Sequence, residues 1–244
     1  PIVASPHWLE KFKHLDKRQQ GYAALIGEAD EAIGTVMTKL RDLKLEENTL
    51  LFVISDNGGA SPEAQQMGLR GRKWFVWEGG IRVTWMAQWK GTIPGHRVVN
   101  DPVIQLDVLP TALAACSVVP PSGGSEPAKV GTTILDGVNL LPLLKGETDK
   151  LAPRELYFRF GVQHAVRQGD WKLVKASKDM EPMLVNLATD PGEQKDLSAE
   201  NPAKKAELVA LFDKWNASMQ PPRWEDQRWN GDPERKVNKK KKVR

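Results

Sequence analysis

Two short stretches of this 244-residue chain gather the side chains that could do chemistry. In Ser55-Asp56-Asn57-Gly58-Gly59 a carboxylate and an amide carbonyl stand side by side, two hard oxygens of the kind calcium or magnesium takes. Taken alone, Asp-Asn-Gly is ordinary turn chemistry. Calcium takes about six to eight oxygens, and no second cluster of acids beside a buried strand is visible, so further ligands must come from elsewhere. The second stretch, Leu69 to Val83, mixes Arg70, Arg72, Lys73 and Arg82 with glycines and with Trp74 and Trp77. By charge alone it reads as a solvated loop.

The elements around these residues give them a position. From Gln20 to Leu43 apolar residues recur at three- and four-residue steps, the stripe of an amphipathic helix. After Glu46-Glu47-Asn48, the run Thr49 to Ile54 is continuously apolar, the pattern of a strand buried on both faces of a parallel sheet. Asp56 and Asn57 follow its carboxyl end, where ligands bind in open α/β sheets. A glycine-containing loop runs to Gly80, and Ile81 to Trp89 is a second strand candidate. Val108 to Cys116 is an expected helix, with Asp107 as its cap and Pro110 in its first turn. Residues 120–131, rich in Pro, Gly and Ser, read as a loose connection.

Beyond Pro153 the character changes. Glu155 to Phe160, His164 to Gln168, Trp171 to Lys175 and Met183 to Leu187 are short strand-like pieces, which suggest a small antiparallel sheet. Asn201-Pro202 starts a helix that places Leu208, Leu211, Phe212, Trp215 and Met219 on one face, able to cover that sheet. The expected organisation is α/β: residues 1–150 as part of a mostly parallel sheet with helices, 151–222 as a small α+β subdomain, and 223–244 as a basic, disordered tail.

Composition narrows the class. The net charge of +4 comes from the tail, where Arg235 to Arg244 carry seven Lys and Arg; without it the balance turns acidic, so no nucleic-acid partner is expected. No apolar run approaches the roughly 18 residues of a membrane span. Cys116, the one cysteine, excludes an intrachain disulfide, and its apolar neighbours suggest a buried thiol. His164 reads as structural. The chain opens on Pro1 rather than Met and is expected to be a fragment.

Several motifs in order resemble the sulfatase family, of the alkaline-phosphatase-like superfamily. The strand ending Ser55-Asp56-Asn57-Gly58 is followed by Arg70-Gly71-Arg72-Lys73 and then by Glu78-Gly79-Gly80-Ile81-Arg82-Val83. Asp107-Val108-Leu109-Pro110-Thr111, Leu135-Asp136-Gly137-Val138-Asn139-Leu140, Ala165 to Leu173 and Leu187 to Glu193 resemble later family segments, so the likeness extends along almost the whole chain. The resemblance implies that Asp56 and Asn57 bind a divalent cation, usually calcium. It implies that Lys73 contacts the sulfate and helps the bridging oxygen leave. A cation and an ammonium near one sulfate would neutralise the charge that moves onto oxygen as the S–O bond breaks. Periplasmic or secreted location is implied in the same way.

Departures qualify this. The family nucleophile is a formylglycine made from Cys/Ser-x-Pro-x-Arg, and no such motif occurs: Cys116 continues Ser117-Val118-Val119-Pro120, and Ser125-Glu126-Pro127-Ala128-Lys129 lacks the Arg. The early Asp-Asp pair of the metal site is absent as well. The complete protein is expected to hydrolyse sulfate esters, with sulfated carbohydrates as a candidate class, using calcium and a formylglycine outside this chain. The isolated chain is expected to be inactive. The alternatives are a phosphodiesterase or phosphonate hydrolase of the same superfamily, and a non-catalytic protein that binds sulfated glycans. Trp74 and Trp77 could pack the loop or form a platform on which a sugar stacks.

Overall fold

A computed structural model describes residues 3–60, 64, 68–118, 129–130 and 133–221. The basic tail, 223–244, and most of the connection read over 120–131 lie outside the described residues. In chain order the elements are α1 (Pro6–Lys11), α2 (Lys17–Asp42), β1 (Leu51–Ile54), α3 (Glu78–Ile81), β2 (Trp85–Gln88), α4 (Val108–Ala115), β3 (Lys129–Val130), β4 (Thr133–Ile134), α5 (Leu141–Lys145), β5 (Glu155–Phe160), β6 (Gln163–Gln168), β7 (Trp171–Lys175), β8 (Met183–Asn186) and α6 (Pro202–Ser218). They fall into two compact units. One comprises residues 1–56, 61–65 and 83–153, and the other residues 57–60, 66–82 and 154–244.

In the first unit Asp16 caps α2, its Oδ1 accepting the Arg18 and Gln19 N–H groups at 3.0 and 3.2 Å, as a short acidic side chain does at a helix start. Lys39 and Arg41 sit in the last turn, where cations complement the helix dipole. The indole of Trp8 covers Gly27 of α2 and its Nε1 donates to Glu31 Oε2 at 2.7 Å. Ala24 is the buried residue of α2; much of the apolar stripe, including Ile26, Val36 and Leu43, is exposed.

β1 pairs antiparallel with β2, Phe52 opposite Ala87 and Ile54 opposite Trp85. This differs from the parallel neighbour expected for β1. A continuous apolar run reports cover on both faces and is silent on strand direction, which the connection decides. All four β1 residues are half-buried. Every strand pair among the described residues is antiparallel.

Asp107 does not cap α4 with its side chain. It is fully buried, and its Oδ2 and Oδ1 accept the Ile104 and Val138 N–H groups, each at 2.9 Å. Thr111 Oγ1 donates to the Asp107 carbonyl at 2.6 Å and accepts from the Leu140 N–H at 2.9 Å. The Asp-x-x-x-Thr pair thus stitches residues 138–140 to the start of α4. Cys116 is exposed rather than buried, because it follows the last turn of α4 and the buried side of that helix is Pro110 and Thr111.

The second unit is built on the sheet β5-β6-β7-β8, antiparallel throughout. Alternation divides its residues between two faces. Val166, Leu173 and Leu184 meet Leu208 and Phe212 of α6. On the other face Ala165, Val174, Met183 and Val185 meet Val76 and Trp77 of the loop before α3. Pro202 occupies the first turn of α6, but Asn201 gives no side-chain cap; its Nδ2 donates back to the Leu197 carbonyl at 3.4 Å. Met219 lies past the end of α6 and is exposed.

Candidate functional site

Beyond the end of β1, Ser55 and Asp56 are exposed and Asn57 is half-buried. The Asn57 Nδ2 donates to the Gly58 carbonyl at 3.1 Å. Asp56 belongs to the first unit and Asn57 opens the second. A carboxylate and an amide are donor types that suit a hard cation, and would give two of the six to eight or so oxygens that calcium takes. Among the described residues no group of three or more His, Cys, Asp or Glu could hold a metal ion.

Within the second unit the loop carrying Lys73 is sewn to the turn that follows Asn57. The Lys73 N–H donates to the Gly59 carbonyl at 3.0 Å, and the Gly58 N–H donates to the Gly80 carbonyl at 2.9 Å. Backbone meets backbone here because no side chain intervenes. A Cβ on Gly58 would run into the Gly79 carbonyl and stand 2.9 Å from the Gly80 Cα. One on Gly80 would collide with the Phe75 carbonyl and stand 2.6 Å from the Arg72 carbonyl oxygen. Lys73, far along the chain from Asn57, is thereby returned to the same backbone turn. Its Nζ lies 5.1 Å from the ring centre of Trp74.

The two tryptophans differ in burial. Trp77 is buried, with the Arg70 guanidinium stacked 3.8 Å from its ring centre, so it packs the loop. Trp74 is 42% exposed and held at φ +84°, a backbone conformation uncommon for a bulky residue.

Under this loop lies a polar cluster that sequence reasoning missed. Lys172 of β7 is fully buried. Its Nζ stands 2.8 Å from Glu78 Oε1 and 2.8 Å from Glu193 Oε1. The Glu78 contact is a hydrogen bond, and Glu193 Oε1 meets Lys172 as an ion pair. Arg167 Nη1 lies 4.0 Å from Glu78 Oε2. Burial pushes the Glu193 carboxyl above its usual range, against the opposing pull of Lys172. The available signal was alternation: Gln163, Arg167 and Lys172 are polar residues placed in register with Ala165, Val174 and Val185 on a face otherwise apolar.

The cavity between α2 and β1, bordered by Met37, Leu40, Glu46, Thr49, Leu51 and Gln88, has a volume of about 10 Å³. It admits about one water and no substrate.

The fold is that of alkaline-phosphatase-like α/β proteins. The solved structure of Ps i-CgsB matches 92% of this chain and 49% of its own, with TM-score 0.79 and 27% identity. Its complex with k-i-k-neocarrahexaose matches 96% and 52%, with TM-score 0.80 and 26% identity. The PsFucS1 sulfatase from Pseudoalteromonas sp. shares the fold at TM-score 0.64 and 22% identity, over 82% of this chain and 42% of its own.

The sulfatase family model matches residues 3–118 of the chain, and the chain is similar to sulfatases of known sequence and structure. It is 32% identical to the N-acetylgalactosamine-6-sulfatase of Canis lupus familiaris over 65% of this chain and 30% of that protein. The steryl-sulfatase of Mus musculus is 27% identical over 79% and 36%, and arylsulfatase A of Homo sapiens 34% over 70% and 37%. The chain thus spans about a third of the length of these curated relatives. Among the described residues no helix is long and apolar enough to cross a membrane.

Proposed function

We propose that the protein to which this chain belongs hydrolyses sulfate esters, with sulfated carbohydrates as the candidate class, and that this chain contributes Lys73 as a contact to the sulfate and Asp56 and Asn57 as oxygen donors to a calcium ion. The observation that carries this is the Lys73 N–H donated to the Gly59 carbonyl at 3.0 Å, which returns the lysine to the turn that Asn57 opens. The carbohydrate class is supported by the sugar sulfatase among the relatives and by the neocarrahexaose in a structural neighbour. The cation, when bound, would supply a Lewis acid for a sulfate oxygen. Lys73 would offset the charge that gathers on the departing oxygen and can donate a proton to it through its ammonium. No Cys/Ser-x-Pro-x-Arg motif stands in the chain, so the reading assigns it binding without turnover.

The test is an inorganic sulfate titration of the ¹⁵N-labelled chain with and without calcium. The amides of Asn57, Gly59 and Lys73 are expected to shift on adding sulfate. Lys73→Ala should weaken that binding about tenfold, the loss of one charge-assisted contact. Asp56→Ala should remove any calcium dependence. Equal sulfate affinity in Lys73→Ala would sink the assignment, and turnover of an aryl sulfate by the purified chain would overturn the statement that it binds without reaction.

A further inference from the structure

The loop around Lys73 is held from below at four points, all by polar groups. Gln163 Nε2 donates to the Trp74 carbonyl at 2.9 Å, and its Oε1 accepts the Val76 N–H at 3.4 Å. Glu193 Oε2 accepts the Glu78 N–H at 2.6 Å, while the Glu193 carbonyl accepts from Arg70 Nη1 at 2.9 Å. The grip therefore falls on both sides of Lys73, at Arg70 and at Trp74, Val76 and Glu78. Lys172 ties the two carboxylates together from within the sheet.

Such a cluster is a poor way to gain stability. Withdrawing one ammonium and two carboxylates from water costs several kcal/mol or so per ion, and apolar residues of similar volume often hold a fold equally well. What ions provide, and methyl groups do not, is direction. Lys172 has three donors on a fully buried stem, and Glu78 and Glu193 both meet its ammonium at 2.8 Å. An apolar contact would tolerate a shift of the loop along the sheet; this one does not. Glu193 is itself held at φ +54°, a conformation rarely adopted without a constraint of this kind.

We propose that Lys172, Glu193 and Gln163 are positioning residues that set the register of the 70–80 loop on the sheet, and through it the place of Lys73. This rests on the reading of Lys73 as the sulfate contact. None of the three touches a reacting group; they act through the loop backbone.

Hydrogen exchange on the full chain tests it, followed at the Lys73, Gly79 and Gly80 amides, with the α6 and β5 amides as the reference. Lys172→Met should speed exchange in the loop by on the order of tenfold or more and leave the reference rates unchanged. Glu193→Leu should do the same, whereas Glu193→Gln, which retains an acceptor for the Glu78 amide, should restore the protection. Unchanged loop rates in Lys172→Met overturn the proposal. So does a uniform rise across loop, sheet and α6, which would mark a merely structural role. Should Lys172→Met fail to fold, Gln163→Leu carries the same comparison without altering charge; failure of both to fold would also overturn it. Inorganic sulfate titrations of the same variants separate the two readings. A loop loosened by Lys172→Met, with sulfate binding indifferent to Lys73→Ala, removes the sulfate assignment and keeps the positioning role. Sulfate binding that needs Lys73 but ignores Lys172 and Gln163 removes the positioning role alone.

Discussion

His164 shows how one side chain can carry a pH dependence for its unit. Its ring stacks on Phe212 with centres 4.0 Å apart and planes 11° from parallel, joining β6 to α6. Burial lowers its pKa below the ordinary 6.5, Lys175 lowers it further, and Asp213 opposes both. The unfolded chain therefore takes up the proton first. The contribution of His164 to stability is full above pH 6.5 and is lost as the pH falls through the lower folded value. Urea unfolding of the chain and of His164→Phe should give parallel curves above that pH. Below it the unsubstituted protein should lose stability faster; identical pH slopes would show that the imidazole titrates freely in the folded state.

At the scale of elements, the Gly58 turn and the Gly79-Gly80 start of α3 are one piece of backbone packing. The Gly79 N–H donates to the Arg70 carbonyl at 2.6 Å, and a Cβ on Gly79 would stand 2.6 Å from that same oxygen. A methyl group at either glycine forces the strands of the loop apart. Gly80→Ala is expected to cost roughly 1–3 kcal/mol, the usual range for overpacking, read as a lower urea midpoint. It should also abolish the Lys73 amide shift with sulfate. A midpoint within error of the unsubstituted chain would mean that the loop yields more easily than its contacts imply.

Across the whole molecule the two units differ in how they treat apolar surface. In the second, both faces of the β5–β8 sheet are covered, by α6 and by the loop before α3. In the first, α2 and its C-cap leave Ile26, Val36 and Leu43 more than half exposed, and apolar surface left open to water favours association. Sedimentation velocity should show concentration-dependent self-association of the chain. Replacing those three residues together by Gln should reduce it without loss of helix content. A monomer at all concentrations would show that this face is inert.

The sequence alone was enough for those features that depend on local pattern. The period of α2, the Asp56-Asn57 step after an apolar strand, the four strands beyond Pro153 and the face of α6 are each written in runs of a few residues, and a regular period is a local property. The ordered motifs from Asp56 to Glu193 also carried the family resemblance. What needed the tertiary structure was everything set by partners distant in the chain. The antiparallel partner of β1 depends on where its connection returns, Asp107 turns from a cap into a buried acceptor for Ile104 and Val138, and Cys116 falls just past the buried side of its helix. The meeting of Glu78, Lys172 and Glu193 is the clearest case. Each is an ordinary charged residue in its own segment, and only sheet register, which places Lys172 on the face that the Glu78 loop covers, turns three separate charges into one buried cluster.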